Sequence, residues 1–66
     1  MRIFLNGLQR AVPAPQTIET LLQLTGQAAR RVAVEVNREI VPRGRYGLHV
    51  LAEGDRVELI QAIGGG

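Results

Sequence analysis

The chain opens Met1-Arg2-Ile3-Phe4-Leu5-Asn6-Gly7. Met1, Ile3 and Leu5 alternate with Arg2, Phe4 and Asn6, the period of two that sets one face of a strand on a core and the other toward water. Asn6-Gly7 then supplies both central residues of a type I′ turn, which needs positive φ twice, so a second strand over about Leu8 to Val12 returns antiparallel. Pro13 and Pro15 end that strand, because neither can donate to a ladder and each holds its predecessor extended. With 66 residues and no cysteine, the chain can build one small core without disulfide staples, and that core must rest on this hairpin.

The next segment can cover the hairpin. Thr17 is a good N-cap, Glu19 sits in the first turn of the helix, and Ile18, Leu21, Leu22 and Thr25 recur at helical spacing before Gly26 offers a left-handed stop. After a polar, Arg-bearing connection, Val32, Val34 and Val36 alternate with Ala33, Glu35 and Asn37 as a β-branched strand. Ile40-Val41 forms a short strand ending at Pro42, joined tightly through Asn37, Arg38 and Glu39. Arg43 to Leu51 reads as irregular, with one helical turn near Tyr46 to Leu48, and Glu53-Gly54-Asp55 as a turn. Arg56 to Ile63 alternates again, with Val57 and Leu59 on one face and Arg56, Glu58, Ile60 and Ala62 on the other. The expected fold is α+β: one domain over residues 1–66, a mixed sheet of about four to five strands covered on one face by one main helix, with the first and last strands paired in its centre.

Composition narrows the chemistry. Eight arginines and no lysine stand against six carboxylates, a formal charge of +2, yet the only aromatics are Phe4 and Tyr46, too few for nucleic-acid stacking. The sequence has no apolar run long enough to span a bilayer and no signal-peptide pattern, so the expectation is a soluble, cytoplasmic protein with no membrane partner. The single histidine, His49, has no nucleophile or orienting carboxylate at a useful spacing, there is no phosphate-binding glycine loop, and the chain has no thiol. Glu53, Asp55 and Glu58 read as turn formers and a solvated face. The chain is expected to catalyse nothing by itself and to bind no metal or cofactor.

Two features stand apart from the core pattern. Phe4, Ile60 and Ala62 put apolar side chains on the polar faces of the first and last strands, a candidate docking patch rimmed by charge. Arg38, Arg43 and Arg45 are either solvated charge or a means of steering an acidic partner. The last stretch, Ile60-Gln61-Ala62-Ile63-Gly64-Gly65-Gly66, carries the strand into three glycines. Residues 63–66 are expected to form a flexible tail, with Gly64 and Gly65 as a thread thin enough for a narrow channel and the carboxylate of Gly66 at its tip.

Taken in order, Met1 to Gly7, Thr17-Ile18-Glu19-Thr20-Leu21-Leu22, Val34-Glu35-Val36-Asn37-Arg38-Glu39-Ile40-Val41-Pro42-Arg43, Glu53-Gly54-Asp55 and Gly65-Gly66 resemble the ThiS family of thiamine-biosynthesis sulfur carriers, in the ubiquitin-like β-grasp superfamily. The resemblance covers the whole chain. It implies that a ThiF-type enzyme adenylates the Gly66 carboxylate with ATP and Mg²⁺. Sulfur from a persulfide donor then replaces AMP to leave a thiocarboxylate, which supplies a ThiG-type thiazole synthase. Two other readings stay open: another β-grasp carrier, such as the small subunit of molybdopterin synthase, and a ubiquitin-like modifier or interaction module joined to lysines through Gly66.

Overall fold

A computed structural model describes residues 1–61. The opening hairpin forms as its sequence requires: β1 (Arg2–Leu5) pairs antiparallel with β2 (Leu8–Ala11), Leu5 opposite Leu8, around Asn6 at φ 50° and Gly7 at φ 84°. Helix α1 (Ile18–Leu24) comes next. Its N-terminus is closed by reciprocal bonds in which Thr17 Oγ1 accepts from Thr20 N–H (3.1 Å) and Thr20 Oγ1 from Thr17 N–H (2.8 Å). Its C-terminus turns at Gly26, φ 75°, where Gly26 N–H donates to Gln23 O and Gln27 N–H to Leu22 O, so these two carbonyls of the last turn are satisfied.

A second hairpin joins β3 (Val32–Val36) to β4 (Glu39–Val41), with Val36 opposite Glu39. Its two turn residues, Asn37 (φ 52°) and Arg38 (φ 70°), are both left-handed. Asn tolerates that region; an arginine there costs about 1 kcal/mol. A 3₁₀ turn (Arg43–Arg45) and β5 (Arg56–Gln61) complete the order. The five strands lie β2-β1-β5-β3-β4, with β1 parallel to β5 and the other neighbours antiparallel. This is the mixed sheet and single helix of a β-grasp fold, with the first and last strands meeting in the middle.

One sheet face and the helix share the core. Ile3, Val34 and Val57 are fully buried with Ile18 and Leu21, and Leu22, Val32, Val36, Val41, Tyr46 and Leu51 surround them. Alternation along β1, β3 and β5 therefore chose the correct face. The long connection before β5 is held to the helix entrance: Ile18 N–H donates to His49 O, Glu19 N–H to Tyr46 O and Leu51 N–H to Gln16 O. The helical turn expected near Tyr46 to Leu48 begins earlier, at Arg43. Pro42, at φ −63°, already has a turn-compatible backbone, and its carbonyl accepts from Arg45 N–H at 2.9 Å.

Both left-handed asparagines brace β5. Beyond the end of β1, Asn6 N–H donates to Val57 O (2.9 Å), and Asn6 Oδ1 accepts from Leu59 N–H (2.8 Å) where a longer strand would offer a backbone carbonyl. Across β5, Asn37 N–H donates to Arg56 O (2.8 Å), Asn37 Oδ1 accepts from Arg56 N–H (3.0 Å) and Asn37 Nδ2 donates to Asp55 Oδ1 (3.0 Å). Asn6→Ala should lose both the acceptor and the tolerance of positive φ, lowering stability by about 2 kcal/mol. Asn6→Asp keeps both and should stay near wild type. Urea unfolding of the pair tests this: equal stability of wild type and Asn6→Ala would show that the brace contributes nothing.

Candidate functional site

The solvent face of the sheet carries the side chains expected to meet a partner. Phe4 on β1 and Ile60 on β5 both project from the face opposite α1, because each sits out of phase with the buried Ile3 and Val57. They do not form one patch. Phe4 stands opposite Arg56, whose guanidinium carbon lies 5.4 Å from the ring centroid, so the half-buried ring is partly covered by a cation. Ile60 lies four residues farther along β5, about 13 Å away at roughly 3.3 Å per residue. Ala62, Gly64, Gly65 and Gly66 lie outside the described residues.

The apolar neighbours of Ile60 come instead from the second hairpin. Ala33 is directly opposite Ile60, and Ile40, which is 73% exposed, is opposite Glu35 one step along the same face. Sequence reasoning missed Ala33 and Ile40. The signal lay in the Asn37-Arg38 turn: a two-residue turn fixes the register, and the register brings Ile40 to Glu35.

Beside this apolar group, Glu35 and Glu58 face one another across β3 and β5. Like charges directly opposite on a sheet are unfavourable, by about 0.2 to 1 kcal/mol, so this arrangement does not serve the sheet's own stability. A positively charged group arriving from outside would remove the repulsion. The face is thus apolar at Ile60, Ala33 and Ile40, acidic at Glu35 and Glu58, and basic at its other end, where Arg56 and Arg2 lie.

Two carboxylates before β5 are occupied structurally. Asp55 Oδ2 accepts from Ala52 N–H (2.8 Å) and closes the turn before β5, while Glu53 Oε1 accepts from Arg2 N–H (3.0 Å) and ties that turn to β1. His49 is half-buried, with its carbonyl engaged by the helix entrance. Among the described residues no group of three or more His, Cys, Asp or Glu is placed to hold a metal ion, and no helix is long and apolar enough to cross a membrane. Arg38, Arg43 and Arg45 are all exposed; Arg38 belongs to the second hairpin turn, while Arg43 and Arg45 bound the 3₁₀ turn.

A sequence model described as the ThiS family matches residues 3–66. Over its full length the chain is 47% identical to a thiazole synthase of Magnetococcus marinus, of which it covers 20%. It thus spans a fifth of that relative. It is 35% identical to the sulfur carrier protein ThiS of Escherichia coli, covering all of both chains. The crystal structure of the thiamine biosynthesis protein ThiS from Geobacter metallireducens superposes with a TM-score of 0.86 at 30% identity, again over the whole of both chains. With the family match spanning all but two residues, and a full-length relative and a full-length structure agreeing with it, the chain belongs to the ThiS family.

Proposed function

We propose that this chain carries sulfur for thiamine biosynthesis on the carboxylate of Gly66, without being an enzyme itself. The observation that supports this most is the family match, which runs through Gly65 and Gly66. The chemistry agrees with it. A carboxylate is a poor electrophile, and a partner must first turn one of its oxygens into a leaving group. In the proposed order of steps a Gly66 oxygen attacks the α-phosphorus of ATP, held with Mg²⁺ by a ThiF-type enzyme, and pyrophosphate leaves. The terminal sulfur of a donor persulfide then attacks the acyl carbon and AMP leaves, giving an acyl disulfide. A second thiol breaks its S–S bond, is itself oxidised into a disulfide with the donor, and releases the thiocarboxylate. A chain without cysteine has no thiol to capture that acyl group internally.

The thiazole synthase of Magnetococcus marinus contains a region like this chain, which supports a ThiG-type acceptor. We assign Gly64 and Gly65 to threading and the sheet face around Ile60 to docking, with Phe4 and Ala62 as further contacts outside that apolar group. Ala33 and Ile40 extend the contact, and Glu35 and Glu58 favour a partner that brings a basic group.

Two experiments bear on these assignments. Gly64 to Gly66 can span at most roughly 10 Å, so deleting Gly66 withdraws the carboxylate by about one residue, whereas a misplacement of about 1 Å already costs on the order of 100-fold in rate. ATP–pyrophosphate exchange with the activating enzyme should therefore fall by at least that factor for the deletion. Gly65→Val, which keeps the reach but adds a branched Cβ, should also block exchange. Normal exchange by the deletion would show that Gly66 is not the reacting residue. For docking, Ile60→Asp should keep the fold yet weaken binding to the same enzyme by about 2 kcal/mol or more. Val57→Asp, which buries an unpaired charge, should unfold the domain. Unchanged affinity of a folded Ile60→Asp variant, measured by calorimetry, would move the docking surface elsewhere.

A further inference from the structure

On the opposite side of the sheet, an open groove of about 410 Å³ lies between α1, the connection into β3 and the 3₁₀ turn. Val32 and Tyr46 lie in its lining, and both are buried; Arg30, Arg31 and Arg43 stand around it, with Glu19 as the one carboxylate. The groove is built on fixed backbone. Tyr46 Oη donates to Val32 O at 3.2 Å, Arg30 N–H donates to Gln27 O at 3.0 Å, and Arg43 begins the 3₁₀ turn. Three arginines against one carboxylate leave two net positive charges, as many as the whole chain carries, so the other five arginines and five carboxylates cancel. The chain's excess charge is concentrated in this one concavity.

The place of the groove indicates its use. Val32 pairs with Gln61, the last residue of β5, so the Arg30-Arg31 rim adjoins the point from which residues 62–66 continue. Gln61 is in phase with Val57 and Leu59, which puts it on the groove side of the sheet. A protein that engages the chain just after Gln61 works close to that rim. Guanidinium groups bind carboxylates through paired, charge-assisted hydrogen bonds, and several such groups around one concavity suit a chain of carboxylates better than a single charge. We propose that the groove receives an acidic, carboxylate-bearing segment of the protein that acts on residues 62–66. This rests on the carrier reading and adds a second contact, opposite in charge and in position to the acidic sheet face.

The test needs no partner enzyme at first. Titrating the ¹⁵N-labelled chain with a hexaglutamate peptide should give saturable amide shifts at Arg30, Arg31, Val32 and Arg43. Arg31→Glu and Arg43→Glu should each weaken binding at least about fivefold, and the neutral Arg31→Gln by less, while Arg10→Glu on the free edge of β2 should not. Shifts spread over all the arginines, or equal losses in the Arg10 and Arg31 variants, would overturn the proposal. So would inorganic phosphate saturating the same amides more tightly than the peptide, which would make the groove a small-anion site. With the activating enzyme, stopped-flow association of Arg31→Glu should be slower by about tenfold or more at low salt, the difference shrinking as salt rises; equal rates would contradict the docking. Failure in the peptide titration counts against the groove alone, whereas the carrier reading depends on chemistry at Gly66.

Discussion

Two strands from opposite ends of the chain meet at the centre of the sheet, and the rest of the structure depends on that parallel pairing of β1 with β5. The paired stretch is short, with Phe4 opposite Arg56 and Leu5 opposite Val57. Asn6 lengthens it, its side-chain oxygen receiving Leu59 N–H where the backbone of β1 has already turned away. Asn37 holds the start of β5 from the other side. Each asparagine is also one of the left-handed residues of a hairpin turn, so the same two side chains shape the hairpins and seat the last strand between them. Ile3, Val34 and Val57 then meet α1 from three adjacent strands and close the core.

Much of this was legible in the sequence, for identifiable reasons. Period-two alternation located β1, β3 and β5 with the correct faces inward, and Asn6-Gly7 set the first hairpin. Thr17 and Gly26 marked the two ends of α1 because capping depends on local chemistry, which a sequence displays directly. What was not legible was lateral. The distance between Phe4 and Ile60, and the company of Ala33 and Ile40 around Ile60, arise from register across strands far apart in sequence. The groove of Arg30, Arg31 and Arg43 was hidden for the same reason: its arginines come from two separate connections, and only the packing of Tyr46 under Val32 brings them to one place.

The physical picture is of a small body with two faces of different character. One face offers Ile60, Ala33 and Ile40 next to paired carboxylates; the other is a basic groove beside the end of β5. Neither contains a thiol or a cluster of metal ligands among the described residues. Such a body fits the proposed carrier role, since a partner docked on either face finds the chain continuing from Gln61 beside it.

The most direct measurement is the mass of Gly66 itself. After incubation with the activating enzyme, ATP, Mg²⁺ and a persulfide donor, the intact chain should gain the mass difference of sulfur for one oxygen, and fragmentation should place it on Gly66. A gain on any internal residue, or no gain with an enzyme shown to be active, would contradict the account.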